Sequence, residues 1–170
     1  MKTLKFLSLI ILITLSSCSS VMVNADYDKK VSFTNYKSYA YLKSGIDKAE
    51  ISDLDKKRIL NSIDEVMQSK GFSKSENPDV LISIFTKERE RVDVYQNYGF
   101  GWGWNPYWGM GYSNVTTTPE GRLFIDIIDA KTKELVWQGE GSGYLTKNTE
   151  KKEARIKEFV SKILEQYPPK

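Results

Sequence analysis

The stretch GRLFIDIIDAKTKELVWQG, residues 121–139, contains two strand-like runs separated by a short polar connection. Leu123, Ile125 and Ile127 fall on one side of an extended chain, because successive side chains of a strand point to opposite faces. The connection begins at Asp129, whose carboxylate suits the amides of a turn. The returning run, residues 135–139, completes a predicted antiparallel hairpin.

Two amphipathic helices are predicted, one before and one after this hairpin. The first begins at Ser52, a capping residue, and ends near Gly71. Apolar residues recur three or four positions apart in both helices, which gives each helix one apolar face. These residues are Ile59, Leu60, Ile63, Val66 and Met67 in the first helix, and Ile156, Phe159, Val160, Ile163, Leu164 and Tyr167 in the second. The second helix has a polar face of mixed charge, which favours packing on the protein's own sheet over binding a bilayer.

Three more strands are predicted upstream of the hairpin. They are short runs around residues 31–33 and 38–42, and a central strand from residue 80 that continues to residue 94. The order is strand, strand, helix, strand, strand, strand, helix. This order predicts an α+β two-layer sandwich, in which a mostly antiparallel sheet of about five strands carries both helices on one face. Glycines at 139, 141 and 143 remove side chains from one face and predict either a bend or a close approach by another element.

The first residues have the pattern of an export signal. Lys2 and Lys5 precede an apolar run that is too short to span a membrane, and small residues lead to Cys18. We therefore predict a lipoprotein signal peptide at 1–17, and lipidation of Cys18, the only cysteine in the chain. Residues 18–25 are predicted to be a lipidated tether, and residues 26–170 a single domain.

Composition argues against several functional classes. Histidine is absent, so the usual general base and the commonest zinc ligand are missing. Cleavage before Cys18 would lower the formal net charge from +3 to +1, which does not favour nucleic-acid binding. No phosphate-binding or dinucleotide motif is present in the sequence. We therefore expect a non-catalytic protein without a cofactor or metal.

An aromatic and glycine-rich loop is predicted at residues 95–119, between the central strand and the hairpin. Tryptophan and tyrosine contribute a large contact area with few rotamers to freeze, which suits an adhesive surface. The expected partner is the membrane, a glycan or an envelope protein. The candidate binding residues are Tyr98, Phe100, Trp102, Trp104, Tyr107, Trp108 and Tyr112.

Two alternatives to the adhesive loop remain open. The loop is also compatible with a lid over Asp126 in a small-ligand or hydrolytic pocket, because a carboxylate between apolar neighbours is a candidate for a raised pKa. It is equally compatible with a loop that only packs on itself or on the domain.

Four segments together resemble a known family. They are DYD at 26–28 with FTNYKSYAY at 33–41, PDVLI at 78–82, the hairpin at 121–139, and YPP at 167–169. The chain resembles the bacterial lipoproteins of domain-of-unknown-function family 4136, common in Bacteroidota and other Gram-negative bacteria. The resemblance implies a lipidated α+β domain of the cell envelope and implies no reaction.

The resemblance also bears on where in the cell envelope the protein is expected. Lipoproteins exported to the surface of Bacteroidota typically carry acidic residues just after the anchor cysteine, and residues 19–24 contain none. We therefore expect a lipid-anchored protein of the outer membrane that faces the periplasm, with the cell surface as the alternative.

Overall fold

One sheet of six strands organises the molecule, in the order β1-β6-β5-β4-β2-β3. The strands are β1 (Met22–Tyr27), β2 (Ser38–Tyr41), β3 (Ser73–Lys74), β4 (Val80–Tyr95), β5 (Asn114–Asp129) and β6 (Leu135–Tyr144). The helices are α1 (Lys43–Asp47), α2 (Asp53–Ser69) and α3 (Thr149–Leu164), and a 3-10 turn covers Phe33–Asn35. This computed structural model describes residues 21–95, 114–144, 146 and 148–169, without the side chains of 88–95 and 114–119.

The sheet is mixed. The pairs β1–β6, β6–β5 and β5–β4 are antiparallel, whereas β2 runs parallel to both β4 and β3. The predicted α+β class is confirmed, with six strands in place of about five. The hairpin at 121–139 is also confirmed, since Asp129 accepts hydrogen bonds of 2.8 Å from the amides of Lys131 and Thr132 at its turn.

The core lies between one face of the sheet and helices α2 and α3. Ser52 caps α2 by accepting a hydrogen bond from the Asp55 amide, as the sequence predicts. The predicted apolar stripes face the sheet, and their most buried members are Ile59, Ile63 and Met67 of α2 and Phe159, Val160, Ile163 and Leu164 of α3. They pack on strand residues that include Ile82, Ile84, Ile125, Ile127 and Trp137. Within the described part of the chain, no helix is both long and apolar enough to cross a bilayer.

Three boundary predictions are wrong. The segment expected to be a strand at 31–33 instead leads into the 3-10 turn. Phe33, the first residue of this turn, is buried and contacts the rings of Tyr36 and Tyr167. The tether expected at 18–25 ends earlier, because Met22 already pairs with β6 in β1. The loop expected at 95–119 is shorter, because β5 begins at Asn114.

The alternating glycines of β6 allow α3 to lie close to the sheet. A Cβ atom on Gly139 would lie 2.3 Å from Cη2 of Trp137 and 2.4 Å from Cγ2 of Ile163. A Cβ atom on Gly141 would lie 2.8 Å from Cδ1 of Ile163. The predicted close approach of another element is confirmed, and that element is α3.

Gly139→Ala should therefore destabilise the fold. The added methyl overpacks a buried contact, and we expect the free energy of unfolding to fall by about 1–3 kcal/mol in urea denaturation. Ser142→Ala is the matched control, because it lies on the same strand with its side chain on the opposite sheet face. Equal unfolding midpoints for the two variants would contradict the assigned role of Gly139.

Candidate functional site

The ladder between β4 and β5 is much longer than the rest of the sheet. It runs from the pair Val80 and Asp129 to the pair Tyr95 and Asn114. Among the residues that the structure describes, β6 accompanies β5 as far as Glu120. Beyond that point residues 90–95 and 114–119 form a two-stranded ribbon, here called the arm. At about 3.4 Å per residue, the arm extends roughly 20 Å past the level of Glu120.

The predicted binding residues all lie in the segment that joins the two strands of the arm. Chain connectivity requires this, because β4 ends at Tyr95 and β5 begins at Asn114. Tyr98, Phe100, Trp102, Trp104, Tyr107, Trp108 and Tyr112 lie outside the described residues, as does the predicted lipidation site Cys18.

The N-terminal end of β1 lies at the same end of the sheet as the arm. Met22 pairs with Ser142 of β6, which in turn pairs with Arg122 of β5. β1 and β5 are each antiparallel to β6, so they run in the same direction, away from the arm. The chain that precedes Met22 therefore enters the sheet from the arm end.

A cavity of about 650 Å³ also lies at this end, between the sheet and the first turns of α2 and α3. Its walls are mainly apolar, and the polar residues come from both helices and from β4 and β5. The lining residues are Ile51, Asp55, Ile59, Thr86, Lys87, Gly121, Arg122, Leu123, Thr146, Lys152, Arg155, Ile156 and Phe159.

Glycines explain why this space stays open. Gly121 of β5 lines the cavity and pairs directly with Gly143 of β6, so neither residue fills the helix-facing side. Two residue pairs further from the arm, the space above Gly141 is occupied by Ile163 and Phe159 of α3. The same glycine pattern thus seats α3 in one place and leaves a cavity in the next.

Ion pairs join the two helices at the mouth of the cavity. The Asp55 carboxylate accepts hydrogen bonds of 2.7 Å from Nζ of Lys152 and from Nη1 of Arg58. Burial opposes the charged form of Asp55, but the bonds from Lys152, Ser52 and Arg58 outweigh it and lower the pKa of this carboxyl. Asp55 therefore stays ionised at neutral pH and holds α2 against α3.

Asp126 lies on the opposite face of the sheet from the cavity. Its Oδ1 accepts a hydrogen bond of 2.7 Å from Nε2 of Gln138. Burial raises the pKa of Asp126, and the Gln138 bond offsets this in part. Its register neighbour on β4, Ser83, is buried against Gly45. Asp126 has the predicted partly buried environment, but it does not line the cavity.

A cluster of polar side chains around Asp64 was not predicted from the sequence. Oδ1 of Asp64 on α2 accepts hydrogen bonds from the hydroxyls of Tyr39 and Tyr41 at 2.9 and 2.6 Å, and Nζ of Lys74 lies 2.6 Å from Oδ2. Burial, and then the bond to Asp64, raises the pKa of both tyrosines. The alternation of Tyr39 and Tyr41 is visible in the sequence, but their shared partner is not. The cluster ties β2 and β3 to α2 and has a structural role.

In the described part of the chain, no group of three acidic, cysteine or histidine residues is placed so that it could bind a metal ion. Asp129 is close to Asp126 in sequence but points to the other face of the sheet. Its Oδ2 accepts a hydrogen bond of 2.8 Å from the hydroxyl of Tyr36. The two carboxylates therefore cannot act as a pair, as the strand period predicts.

The fold and the site define a class: a small α+β domain with an open mixed sheet, a projecting two-stranded arm and a cavity at the base of the arm. The chain belongs to the family described as Domain of unknown function (DUF4136), whose sequence pattern matches residues 23–169. No protein of curated function matches the chain.

Solved structures match the chain. A PDZ domain protein from Parabacteroides distasonis superposes with a TM-score of 0.54 at 17% identity. The match covers 89% of this chain but only 37% of that protein, so the chain corresponds to little more than a third of its length. A PelC dodecamer from Paraburkholderia phytofirmans matches at 12% identity and a TM-score of 0.48, covering 85% of this chain and 95% of PelC.

Asp126→Asn and Asp129→Asn should change stability in opposite directions. The folded-state pKa of Asp126 is raised, so its ionisation destabilises the folded state as pH rises past the ordinary aspartate pKa. Asp126→Asn should therefore raise the unfolding free energy at pH 7, and the gain should vanish at low pH. The asparagine can keep the bond from Gln138.

Asp129 serves as the matched comparison. Hydrogen bonds from the Thr132 amide and from Tyr36 lower the pKa of Asp129 against a smaller effect of burial, so its stabilisation is present at neutral pH and lost in acid. Asp129→Asn should lower the unfolding free energy at pH 7. Urea denaturation between pH 3 and 7 measures both; a shift of the same sign at pH 7 would refute the assignment.

Proposed function

We propose that this chain is a lipid-anchored, non-catalytic protein of the bacterial cell envelope whose aromatic segment contacts the bilayer beside its own anchor. The anchor is Cys18, acylated after removal of residues 1–17. The contact residues are the seven aromatic residues between 98 and 112. The outer membrane, with the domain on its periplasmic side, is the proposed location.

The observation that carries this proposal is the register of β1. Met22 pairs level with Ser142 and Arg122, at the end of the sheet from which the arm projects. An anchor placed before Met22 and an aromatic segment at the end of the arm would therefore face the same surface. A register in which β1 ran the other way would separate them by the length of the sheet.

The available lengths agree with a shared surface. Cys18 precedes Met22 by four residues, which span at most about 14 Å when fully extended. From the level of Arg122, β5 extends a further eight residues to Asn114, or roughly 27 Å at ~3.4 Å per residue. The arm is longer than the tether. A domain held by Cys18 would therefore bring the end of its arm to the bilayer.

The chemistry of the segment suits the interface of a bilayer. Tryptophan and tyrosine favour the headgroup level, where the ring is in an apolar environment and the polar atom meets water. The anchor also raises the local concentration of the segment at the membrane, so weak contacts suffice. A glycan or an envelope protein at the same surface is the competing partner.

Cys18→Ser should abolish acylation. Wild-type protein expressed in a Gram-negative host should incorporate a clickable palmitate analogue and sediment with membranes, whereas the variant should do neither. Ser20→Ala, which leaves the cysteine in place, is the control. A wild-type protein without acyl label would refute the anchor.

Tryptophan fluorescence tests the aromatic contact in the full-length protein. Three of its four tryptophans lie in the aromatic segment, and the fourth, Trp137, is fully buried in the core. In proteoliposomes, lipids brominated near the headgroup should quench most of the emission. Trp137→Phe should leave the quenched emission intact and raise its share of the total, while the triple substitution of Trp102, Trp104 and Trp108 by Phe should remove it.

The exposed apolar residue Leu135 provides a surface control, because it lies in β6 at the end of the sheet away from the arm. Leu135→Ala should not change quenching. An acylated wild-type protein without quenching would overturn the bilayer contact while leaving the anchor standing, and binding to glycan or envelope protein would then be the explanation to pursue.

A further inference from the structure

The cavity at the base of the arm has the walls of a site for a hydrocarbon chain. Ile51 and Ile59 line it from the α2 side, Ile156 and Phe159 from α3, and Leu123 from the sheet. Its volume of about 650 Å³ is within the range typical of small-molecule sites, roughly 300–1,000 Å³. Such sites combine apolar walls with a few polar groups that fix the orientation of the ligand.

The electrostatics of the cavity mouth favour an anion. The pairs Lys152–Asp55 and Lys157–Glu65 show that α2 and α3 run in parallel, so both helices begin at this mouth. Helix N-termini carry a partial positive charge, and here two of them converge. Two cationic side chains, Lys152 and Arg155, line the cavity here, and each is in an ion pair with an acid.

The acids that bond the cations of the mouth are held in ion pairs. Asp55 bonds both Lys152 and Arg58, and Glu158 accepts a bond of 2.7 Å from Nη1 of Arg155. Among the other lining cations, Arg122 is paired with Glu140, whereas Nζ of Lys87 lies over the rings of Phe85 and Phe124 on the other sheet face. Among the described lining residues Asp55 is the one acid, and two lining cations of the helix layer, Lys152 and Arg155, stand against it, so the lining has a positive balance.

Arg155 is held in place with one donor unused. Its Nε donates to the carbonyl of Tyr144 at 3.1 Å, and its guanidinium lies 4.9 Å from the ring centroid of Phe159. Its Nη2 is buried and has no hydrogen-bond partner within the described ranges. A buried guanidinium nitrogen without an acceptor is costly, and an oxyanion at this end of the cavity would supply the acceptor.

We propose that this cavity binds a single-chain amphiphile with an anionic head group. The hydrocarbon tail lies along Ile59, Ile156 and Phe159, and the head group meets Lys152 and Arg155. A fatty-acid carboxylate and a lysophospholipid phosphate share this chemistry, and competition distinguishes them. The proposal does not depend on lipidation of Cys18 or on membrane contact by the aromatic segment.

Photolabelling tests the site in the full-length protein reconstituted in lipid nanodiscs. The probe is palmitic acid that carries a diazirine in its tail, and the control probe is the corresponding alcohol, which lacks the charge. Peptide mass mapping should place the acid label on the segments containing Leu123, Ile156 and Phe159, and labelling by the alcohol should be several-fold weaker. Excess palmitate or lysophosphatidate should compete, and zwitterionic lysophosphatidylcholine should not; the stronger competitor identifies the head group.

Two variants probe the head and the tail separately. Arg155→Gln should reduce labelling of the cavity roughly tenfold, through loss of a charge-assisted bond. Lys157→Gln removes the same charge from an exposed position of the same helix, where the side chain pairs with Glu65, and should leave labelling unchanged. Gly121→Leu adds a side chain to the cavity floor and should abolish labelling.

Thermal unfolding midpoints of all variants show whether the fold is retained. If Gly121→Leu unfolds, the comparison of Arg155→Gln with Lys157→Gln carries the test. Acid label found only outside the cavity peptides would overturn the proposal. Equal labelling by acid and alcohol, or equal loss in the two charge variants, would overturn it as well.

Discussion

The antiparallel ladder between β4 and β5 is the constraint on which the rest of the structure depends. Its buried half supplies the centre of the core, where Ile82 pairs with Ile127 and Ile84 pairs with Ile125, all fully buried. Both strands continue past the point at which their other neighbours end. The same hydrogen-bonded unit is therefore core at one end and arm at the other. The arm inherits its direction from the most buried strands of the domain, because antiparallel register is fixed once one face is buried.

The helix layer fixes what surrounds the base of this ladder. Gly139 and Gly141 admit α3 close to β6, and Trp137 and Tyr167 then pack at 5.2 Å near the far end of the layer. α2 begins after its N-cap residue Ser52 and runs parallel to α3. Their N-termini meet above the Gly121–Gly143 pair, where the sheet has no side chains to offer. The cavity and its positive mouth thus follow from helix direction and glycine placement together.

Much of this architecture could be predicted from the sequence, because its strongest signals are periodic. The helix stripes and the Leu123–Ile125–Ile127 alternation extend over several repeats, so a single substitution would not hide them. The strand predicted at residues 31–33, before β2, was wrong because its pattern is too short to be specific. Val31 and Phe33 alternate only once, and a buried aromatic residue in a 3-10 turn produces the same short pattern as a strand.

The edge strand and the cavity were harder to predict. β1 shows only Val23 and Ala25 on its core-facing side, too few to signal a strand, and its pairing partner lies more than a hundred residues away. The cavity depends on which glycines face each other across two strands and on where two helices begin. Strand register and helix direction are properties of the tertiary structure, and no local sequence pattern around Gly121 or Arg155 predicts them.

The arm links these features to a physical argument about function. A two-stranded ribbon is only marginally stable in water by itself, because it has no second layer in which to bury side chains. Under the proposed function, contact of the aromatic residues with a surface would add the burial that the ribbon lacks by itself. The register of β1 puts the entering chain at the arm end of the sheet, so the proposed anchor before Met22 would hold that surface near the arm.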